Sequence, residues 1–367
     1  MRKVTSVAVA LGLAASMLVG TSAAEATVTS IDGGGSSFAG GILNVCKVDF
    51  NYNGSHTKTY NKTGTQVTYS TTGGSGQGRS YFQAGTYAFG AADAGYATGD
   101  TKPSDLVYVP LVGGPIAIIF KNSDITGNRL KLSASVVSQI FKGTITNWNN
   151  SQITALNGGV ALPSKAILPY YRSGSSGTSQ NLVNWIKGMG VTGWTSDGTW
   201  ATATGDSSPA GTSASSSSNL ATAVDTNDGA IGYVDLKDAV GHTVAFASIK
   251  NALGQYIAPT VAASAKFLSR QVPSTSGLVT FKYKTGAVSG EYNVGVITYG
   301  LGHTKRSSYS SNATDATKIA TTVKNFFTYS IGSCAAASAA GLKYNNLTGA
   351  IKTKALAQVA KIGATAN

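Results

Sequence analysis

The sequence predicts an α/β protein with largely parallel sheets, and two observations support this fold class. Strand-like apolar runs alternate with segments of helical periodicity along the chain. Several runs are apolar almost throughout, as strands buried on both faces require, and the longest spans residues 106–120. After an N-terminal export segment, about 340 residues remain, which is enough for two domains of ordinary size.

The first 26 residues have the three parts of a secretory signal peptide. Arg2 and Lys3 form a basic start, residues 7–20 are apolar, and the sequence AEA at 24–26 matches a small-x-small cleavage site. The apolar stretch is too short to span a membrane, and no cysteine follows it to take a lipid anchor. We therefore predict that residues 1–26 are removed and that the protein is secreted, to the periplasm or cell envelope.

The elements expected along the chain alternate in type. Strands are predicted at 66–70, 106–120, 166–171, 229–235 and 292–300. Helices are predicted where apolar residues share a face, at 133–143, from an N-cap at Thr314 to residue 331, and at 351–362. The polar tract at 205–219 is expected to be a surface loop.

The charge distribution argues against nucleic acid as a partner. The formal net charge is +13, but only 12% of residues are charged and the basic ones form no stripe. A diffuse positive field instead favours the approach of anionic ligands or an anionic envelope.

Cys46 and Cys334 are the only cysteines. In an exported protein such a pair indicates a disulfide, which would close a very long loop. Two separately buried thiols are the alternative, and the residues alone leave it open.

Three Gly/Ser/Thr-rich loops share one construction: GGGSSFAG at 33–40, GGSGQGRSYF at 73–82 and SGSSGTSQ at 173–180. Each follows a strand pattern and opens a helix, where free backbone N–H groups and the positive end of the helix dipole favour an anion. Arg172, at the mouth of the third loop, adds a fixed positive charge. The alternative is that each hydroxyl only caps its helix, which needs no ligand.

The segment FGAADAG at 89–95 places Asp93 among very small residues after an apolar strand. The carboxylate could simply cap a turn. Beside an oxyanion, it would repel a fully ionised ligand and tolerate one that still carries a proton. Phosphate carries that proton at neutral pH, and sulfate does not.

Together and in order, these segments resemble the phosphate-binding protein of phosphate ABC transporters. The matching stretches are GGGSSF, YSTTGGSGQG, FGAADA, VVSQIFKGTITNWN, RSGSSGTS and GAIGYVD. The resemblance implies a two-lobed α/β fold of the periplasmic-binding-protein type, with a ligand cleft between lobes joined by crossover strands. Lobe I would take residues 27–110 and 290–367, and lobe II residues 111–289. Both cysteines would then lie in lobe I, which favours the disulfide.

The resemblance also implies a set of phosphate contacts, a membrane permease as partner, a monomeric state and no cofactor. In the first loop, the contacts would be the hydroxyl and backbone of Ser37 with the backbone of its neighbours. Asp93 would accept the phosphate proton, and Arg172 would be the charged donor. The full set is Ser36, Ser37, Phe38, Ser75, Asp93, Arg172, Ser176, Gly177 and Thr178.

Two departures from the family pattern affect this site. The family places an aspartate two residues after the ligand arginine, where this chain has Gly174, so Arg172 lacks a local carboxylate. The spacing from YSTT to FGAADA is one residue longer than expected, which affects the choice of Ser75.

Other motifs do not support a different chemistry. The pattern GMGVTG at 188–193 resembles a dinucleotide-binding loop, but a helical segment precedes it where a strand is required. His56, His242 and His303 are scattered and expected at the surface, with no metal-ligand spacing. No serine lies in a G-x-S-x-G elbow. Two rival functions remain: a secreted phosphatase of the same fold, or a surface or adhesive protein with a vestigial phosphate site.

Overall fold

A computed structural model describes residues 28–52, 60–97, 99–125, 130–159 and 162–366. The predicted signal peptide and His56 lie outside these ranges. Within them, no helix is both long and apolar enough to cross a membrane.

The structure contains twelve strands and eleven α-helices in the described ranges. The strands are β1 Ser30–Gly35, β2 Gln66–Ser70, β3 Phe89–Ala92, β4 Leu106–Phe120, β5 Lys131–Leu132, β6 Leu168–Arg172, β7 Thr212–Ala214, β8 Ala230–Asp235, β9 Ala245–Phe246, β10 Ser248–Lys250, β11 Tyr256–Ile257 and β12 Gly295–His303. The helices are α1 Ser37–Asn51, α2 Gly74–Gln83, α3 Ala134–Phe141, α4 Ser151–Leu156, α5 Gly177–Gly188, α6 Trp200–Thr204, α7 Ser217–Thr226, α8 Val261–Ser269, α9 Ala313–Tyr329, α10 Ala335–Ser338 and α11 Gly349–Val359.

One long strand, β4, joins two halves of the main sheet. The strand order is β2-β1-β3-β12-β4-β8-β6-β7, and β9 also pairs with β4. Residues 106–115 of β4 pair with β12, and residues 116–120 pair with β8. We call β2, β1, β3, β12 and the start of β4 the first half-sheet, and the end of β4 with β8, β6, β7 and β9 the second half-sheet. The two-lobed α/β fold is therefore confirmed.

The expectation of largely parallel sheets is wrong for the centre of the molecule. β1 pairs in parallel with β2 and β3, and β6 with β7 and β8. However, β12 pairs antiparallel with both β3 and β4, and β4 pairs antiparallel with β8. The chain leaves the first half on β4 and returns on β12, so the two strands run in opposite directions.

Two local predictions also need correction. Asn312, not Thr314, caps α9, and its side chain accepts hydrogen bonds from two backbone N–H groups of the first turn. The tract at 205–219 is not entirely a surface loop, because residues 212–214 form β7 alongside β6. Ser217, at the start of α7, is fully buried.

The disulfide is confirmed. Cys46 in α1 and Cys334 in the π-helical turn after α9 are bonded, with Cα atoms 5.6 Å apart. Both lie in the helical layer that covers the first half-sheet, where Phe50, Phe89 and Phe326 pack ring against ring. The alternative of two separate thiols is therefore excluded.

Candidate functional site

The N-termini of α1, α2 and α5 meet at one point between the two halves. Each helix follows a strand of the main sheet, namely β1, β2 and β6. Ser36, the N-cap of α1, donates to Asp93 over 2.5 Å, and Ser75 of α2 donates to the same carboxylate over 3.1 Å. Gly177 at the start of α5 is so close that a Cβ there would lie 2.6 Å from Asp93 Oδ2. Three helix N-termini therefore meet at one carboxylate.

Asp93 is buried and is held by hydroxyl groups. Its Oδ1 accepts from Ser36 and, over 2.6 Å, from Thr298 of β12, whereas its Oδ2 accepts, among the described residues, only from Ser75. Burial raises the pKa of Asp93, and these three hydrogen bonds and the charge of Arg172 oppose that rise. Oδ2 keeps a free lone pair and faces the N-terminus of α5, so it can accept a proton from a ligand in the cleft.

Arg172, at the end of β6, is the buried cation of the site. Its Nη1 donates to Ser217 Oγ over 2.9 Å and to Ser37 Oγ over 3.4 Å, and its Nη2 donates to the carbonyl of Ser215. Its Nε is buried and has no acceptor within the part of the chain that the structure describes. A buried guanidinium with an unused donor is suited to an anion.

The two halves touch directly around this point. The N–H of Gly76 donates to the carbonyl of Ser175 over 3.2 Å, and Arg79 donates to Ser175 Oγ over 3.3 Å. Asn181 of α5 donates to the carbonyl of Asp93 over 2.7 Å. Beside these contacts, a cavity of about 550 Å³ lies between the halves; Asp93 lines it, whereas Arg172 and the starts of α1 and α2 do not. The arrangement is a closed cleft.

All nine residues of the predicted contact set lie at this cleft, but several hydroxyls are already engaged. Those of Ser36 and Ser75 donate to Asp93, that of Thr178 donates to Asp235, and that of Ser176 caps α5. The Phe38 ring is buried against Tyr344 and its carbonyl accepts from the Tyr344 hydroxyl, so only its backbone N–H could serve a ligand. Helix capping, the alternative to anion binding at these loops, is real for Ser36 and Ser176.

Four residues at the cleft were missed by sequence reasoning: Thr298, Asn181, Ser217 and Asp235. Thr298 is a buried hydroxyl in an otherwise apolar strand, and Asp235 ends the apolar run GAIGYVD. A polar side chain inside a fully buried strand needs a partner, and that pattern could have singled out both. Ser217 was hidden in the serine tract, where no residue stands out.

Gly174 adopts a left-handed backbone conformation, with φ of +68°. An aspartate there would carry the cost of that conformation, so the missing family carboxylate agrees with the local backbone. The extra residue between YSTT and FGAADA does not displace Ser75, which also accepts from the backbone N–H of Asp93.

The remaining motifs do not form sites. Residues 188–193 lie at the end of α5 and beyond it, not at a helix start. His242 contacts Asp225, and His303 is buried against Asp105, so the expectation that His303 is a surface residue is wrong. No cluster of metal-binding side chains occurs among the described residues.

Two α/β lobes closed on a buried arginine, a buried carboxylate and three helix N-termini define the class: a two-lobed binding protein with an anion cleft. The family model described as "PBP superfamily domain" matches residues 20–333, and the chain belongs to that family.

Relatives by sequence are phosphate-binding proteins. The chain is 26% identical over 243 residues to "Phosphate-binding protein PstS" of Xylella fastidiosa, a match covering 65% of this chain and 62% of the relative. It is 31% identical over 204 residues to the protein of the same name from Pasteurella multocida, covering 54% and 57%. The matches thus span somewhat less than two thirds of these relatives.

Solved structures show the same fold. A high-affinity periplasmic phosphate-binding protein bound with phosphate superposes with a TM-score of 0.67 at 20% identity, covering 89% of this chain and 93% of that one. A phosphate-binding protein from Stenotrophomonas maltophilia gives 0.64 at 22% identity, covering 90% and 94%.

Proposed function

We propose that this chain is an exported solute-binding protein that captures inorganic phosphate between its lobes and delivers it to the permease of a phosphate ABC importer. On this proposal, residues 27–110 with 290–367 form lobe I, and residues 111–289 form lobe II. Residues 1–26 direct export and are removed without lipid attachment. The protein works as a monomer, without a cofactor and without catalysis.

The observation that carries the proposal is that the site combines one hydrogen-bond acceptor, the Asp93 carboxylate, with many hydrogen-bond donors. Arg172 Nε and the helix N–H groups require oxygen acceptors, whereas Asp93 Oδ2 accepts a proton from the ligand. A ligand that satisfies both must be an oxyanion that still has an O–H group. Hydrogen phosphate fulfils this near neutral pH, and sulfate does not.

The relatives support the same ligand, because the named sequence relatives are phosphate-binding proteins. Among the described residues, the cleft holds no pairing of a hydroxyl nucleophile with a histidine base.

The test is a titration of the mature chain, first unfolded and refolded to remove bound ligand. We expect saturable binding of one phosphate, no response to millimolar sulfate, and no release of nitrophenol from p-nitrophenyl phosphate. Absence of phosphate binding would overturn the proposal in favour of a surface or adhesive role. Hydrolysis would favour a phosphatase.

A further inference from the structure

Arg172 is connected to a buried carboxylate by two hydrogen bonds that share one hydroxyl group. Its Nη1 donates to Ser217 Oγ over 2.9 Å, and Ser217 Oγ donates to Asp235 Oδ2 over 3.1 Å. No carboxylate among the described residues forms a direct ion pair with Arg172. Asp235, on the second half-sheet, is therefore connected to Arg172 only indirectly, through Ser217.

The same carboxylate also holds the start of α5. Thr178 Oγ1 donates to Asp235 Oδ1 over 3.1 Å, and Asp235 itself is fully buried at the end of β8. One side chain thus orients both the guanidinium and the helix turn whose N–H groups face the cleft.

We propose that Asp235, which is linked to Arg172 through Ser217 and to the start of α5 through Thr178, is a positioning residue of the anion site and makes phosphate binding weaker at higher pH. This inference rests on the proposed function and deepens it. It makes the site responsive to pH through the protein, in addition to the ionisation of phosphate itself.

The groups around Asp235 explain why it titrates in this range. Burial raises its pKa to about 7, and the negative charges of Asp238 and Asp93 contribute to the rise. Lys237 and Arg172 oppose it. Lys237 is paired with Asp238 over 2.5 Å, so much of its positive charge is already balanced.

Two tyrosines complete the surroundings of Asp235. Burial, together with the charge of Asp235, raises the pKa of Tyr344 well above its usual value, so this tyrosine stays neutral. Tyr233, on the same strand as Asp235, accepts from the backbone N–H of Arg172, and burial raises its pKa as well. Neither tyrosine therefore changes charge in the range where Asp235 titrates.

The direction of the effect follows from charge. A bound anion repels ionised Asp235 and so favours its protonated form. Below about pH 6 Asp235 is neutral and does not repel the bound phosphate. Above about pH 8 Asp235 is ionised, and its negative charge repels the phosphate. If the anion raises the pKa of Asp235 by about one unit, the affinity differs by about tenfold between the two limits.

The experiment compares phosphate affinity at pH 5.5 and 8.5 for wild type, Asp235→Asn and Asp124→Asn. Asp124 is half-exposed and lies in the same proposed lobe, so its substitution matches the charge change away from the cleft. At pH 8.5, we expect Asp235→Asn to bind phosphate about tenfold more tightly than wild type. At pH 5.5 the two should agree within about twofold, and Asp124→Asn should follow wild type at both. Because the three proteins are compared at the same pH, the ionisation state of phosphate is the same for all of them and cannot cause a difference in affinity.

A second variant keeps Asp235 in place. Asp238→Asn removes a charge that raises the pKa of Asp235 and releases Lys237 to lower it. The pH at which affinity falls should therefore move down. An affinity ratio between wild type and Asp235→Asn that is the same at both pH values would overturn the inference, as would an unmoved profile for Asp238→Asn. Wild type that binds no phosphate at any pH would instead overturn the proposed function.

Discussion

Asp93 is the residue whose environment decides ligand choice. A carboxylate buried in a closed cleft repels any ligand oxygen that has no proton to share, because little solvent screens the two charges. Its three hydroxyl donors stabilise the carboxylate without adding positive charge. Asp93 therefore remains a proton acceptor that a fully ionised oxyanion cannot approach.

We predict that Asp93→Asn gains sulfate binding. The amide has the same size, carries no charge and can donate to an oxyanion, so the repulsion of sulfate disappears. Phosphate loses a hydrogen-bond acceptor but also a charge repulsion, so the affinity for phosphate should change less than the affinity for sulfate. The measurement is competition of sulfate against labelled phosphate for wild type and variant. Equal competition in the two proteins would show that Asp93 is not the selector.

We predict that Arg172→Ala weakens phosphate binding by at least about tenfold, because charge-assisted hydrogen bonds to a buried anion are lost. Lys352→Ala is a matched control, since it removes one positive charge from an exposed position on α11. Isothermal titration gives the affinities, and circular dichroism checks the fold. If both variants bind like wild type, Arg172 does not contact the ligand.

The sequence alone identifies those residues of the candidate site that lie within a contiguous local motif. The strand–glycine–helix loops of Ser36, Ser75 and Gly177 could be predicted because each is contiguous. Thr298 and Asp235 could not be placed at the cleft, because their approach depends on which strands are neighbours. That order brings β12, more than 200 residues away in the chain, beside β3.

The helix starts depend on glycine for close approach of the two lobes. A Cβ on Gly177 would lie 2.5 Å from Ser75 Oγ and 2.6 Å from the Asp93 side chain, too near for the lobes to close. These neighbours belong to the opposite half of the molecule, so the clash exists only in the closed form.

We therefore predict that Gly177→Ala abolishes high-affinity phosphate binding while changing the melting temperature of the ligand-free protein little. Gly341→Ala is the control, since a Cβ there would have its nearest neighbour at 3.8 Å. Phosphate titration together with small-angle scattering, with and without phosphate, measures binding and closure. A Gly177→Ala protein that closes and binds normally would contradict the close contact between α5 and the Asp93 loop.

The sequence predicted the positions of strands and helices better than it predicted the directions in which the strands run. The predicted bounds of β2 and β4 match the structure because apolar runs mark buried strands directly. The antiparallel pairing of β4 and β12 was missed, since a buried strand has the same composition in either direction. The cap of α9 was misplaced by two residues because Asn312 and Thr314 are both good capping residues.

At the scale of the whole molecule, the disulfide ties distant parts of the chain, with Cys46 and Cys334 separated by 288 residues. Replacing both cysteines with serine should lower the free energy of unfolding by ~3–5 kcal/mol, because the unfolded chain regains the freedom of a long loop. Denaturant unfolding under oxidising conditions measures the change, with reduced wild type as the matched comparison. Equal stability of oxidised and reduced wild type would contradict this expectation.

The position of β12 between β3 and β4 also bears on the order in which the protein can be made. Strands β6 to β9 follow one another closely, so the second half-sheet has all its strands once residue 246 has been synthesised. The first half-sheet lacks a central strand until residue 303 has been added. The N-terminal third of the chain therefore cannot complete its sheet until most of the polypeptide has been made. On the proposed function, a first half-sheet that stays incomplete until late in synthesis favours passage of the chain through a translocation channel before that sheet forms.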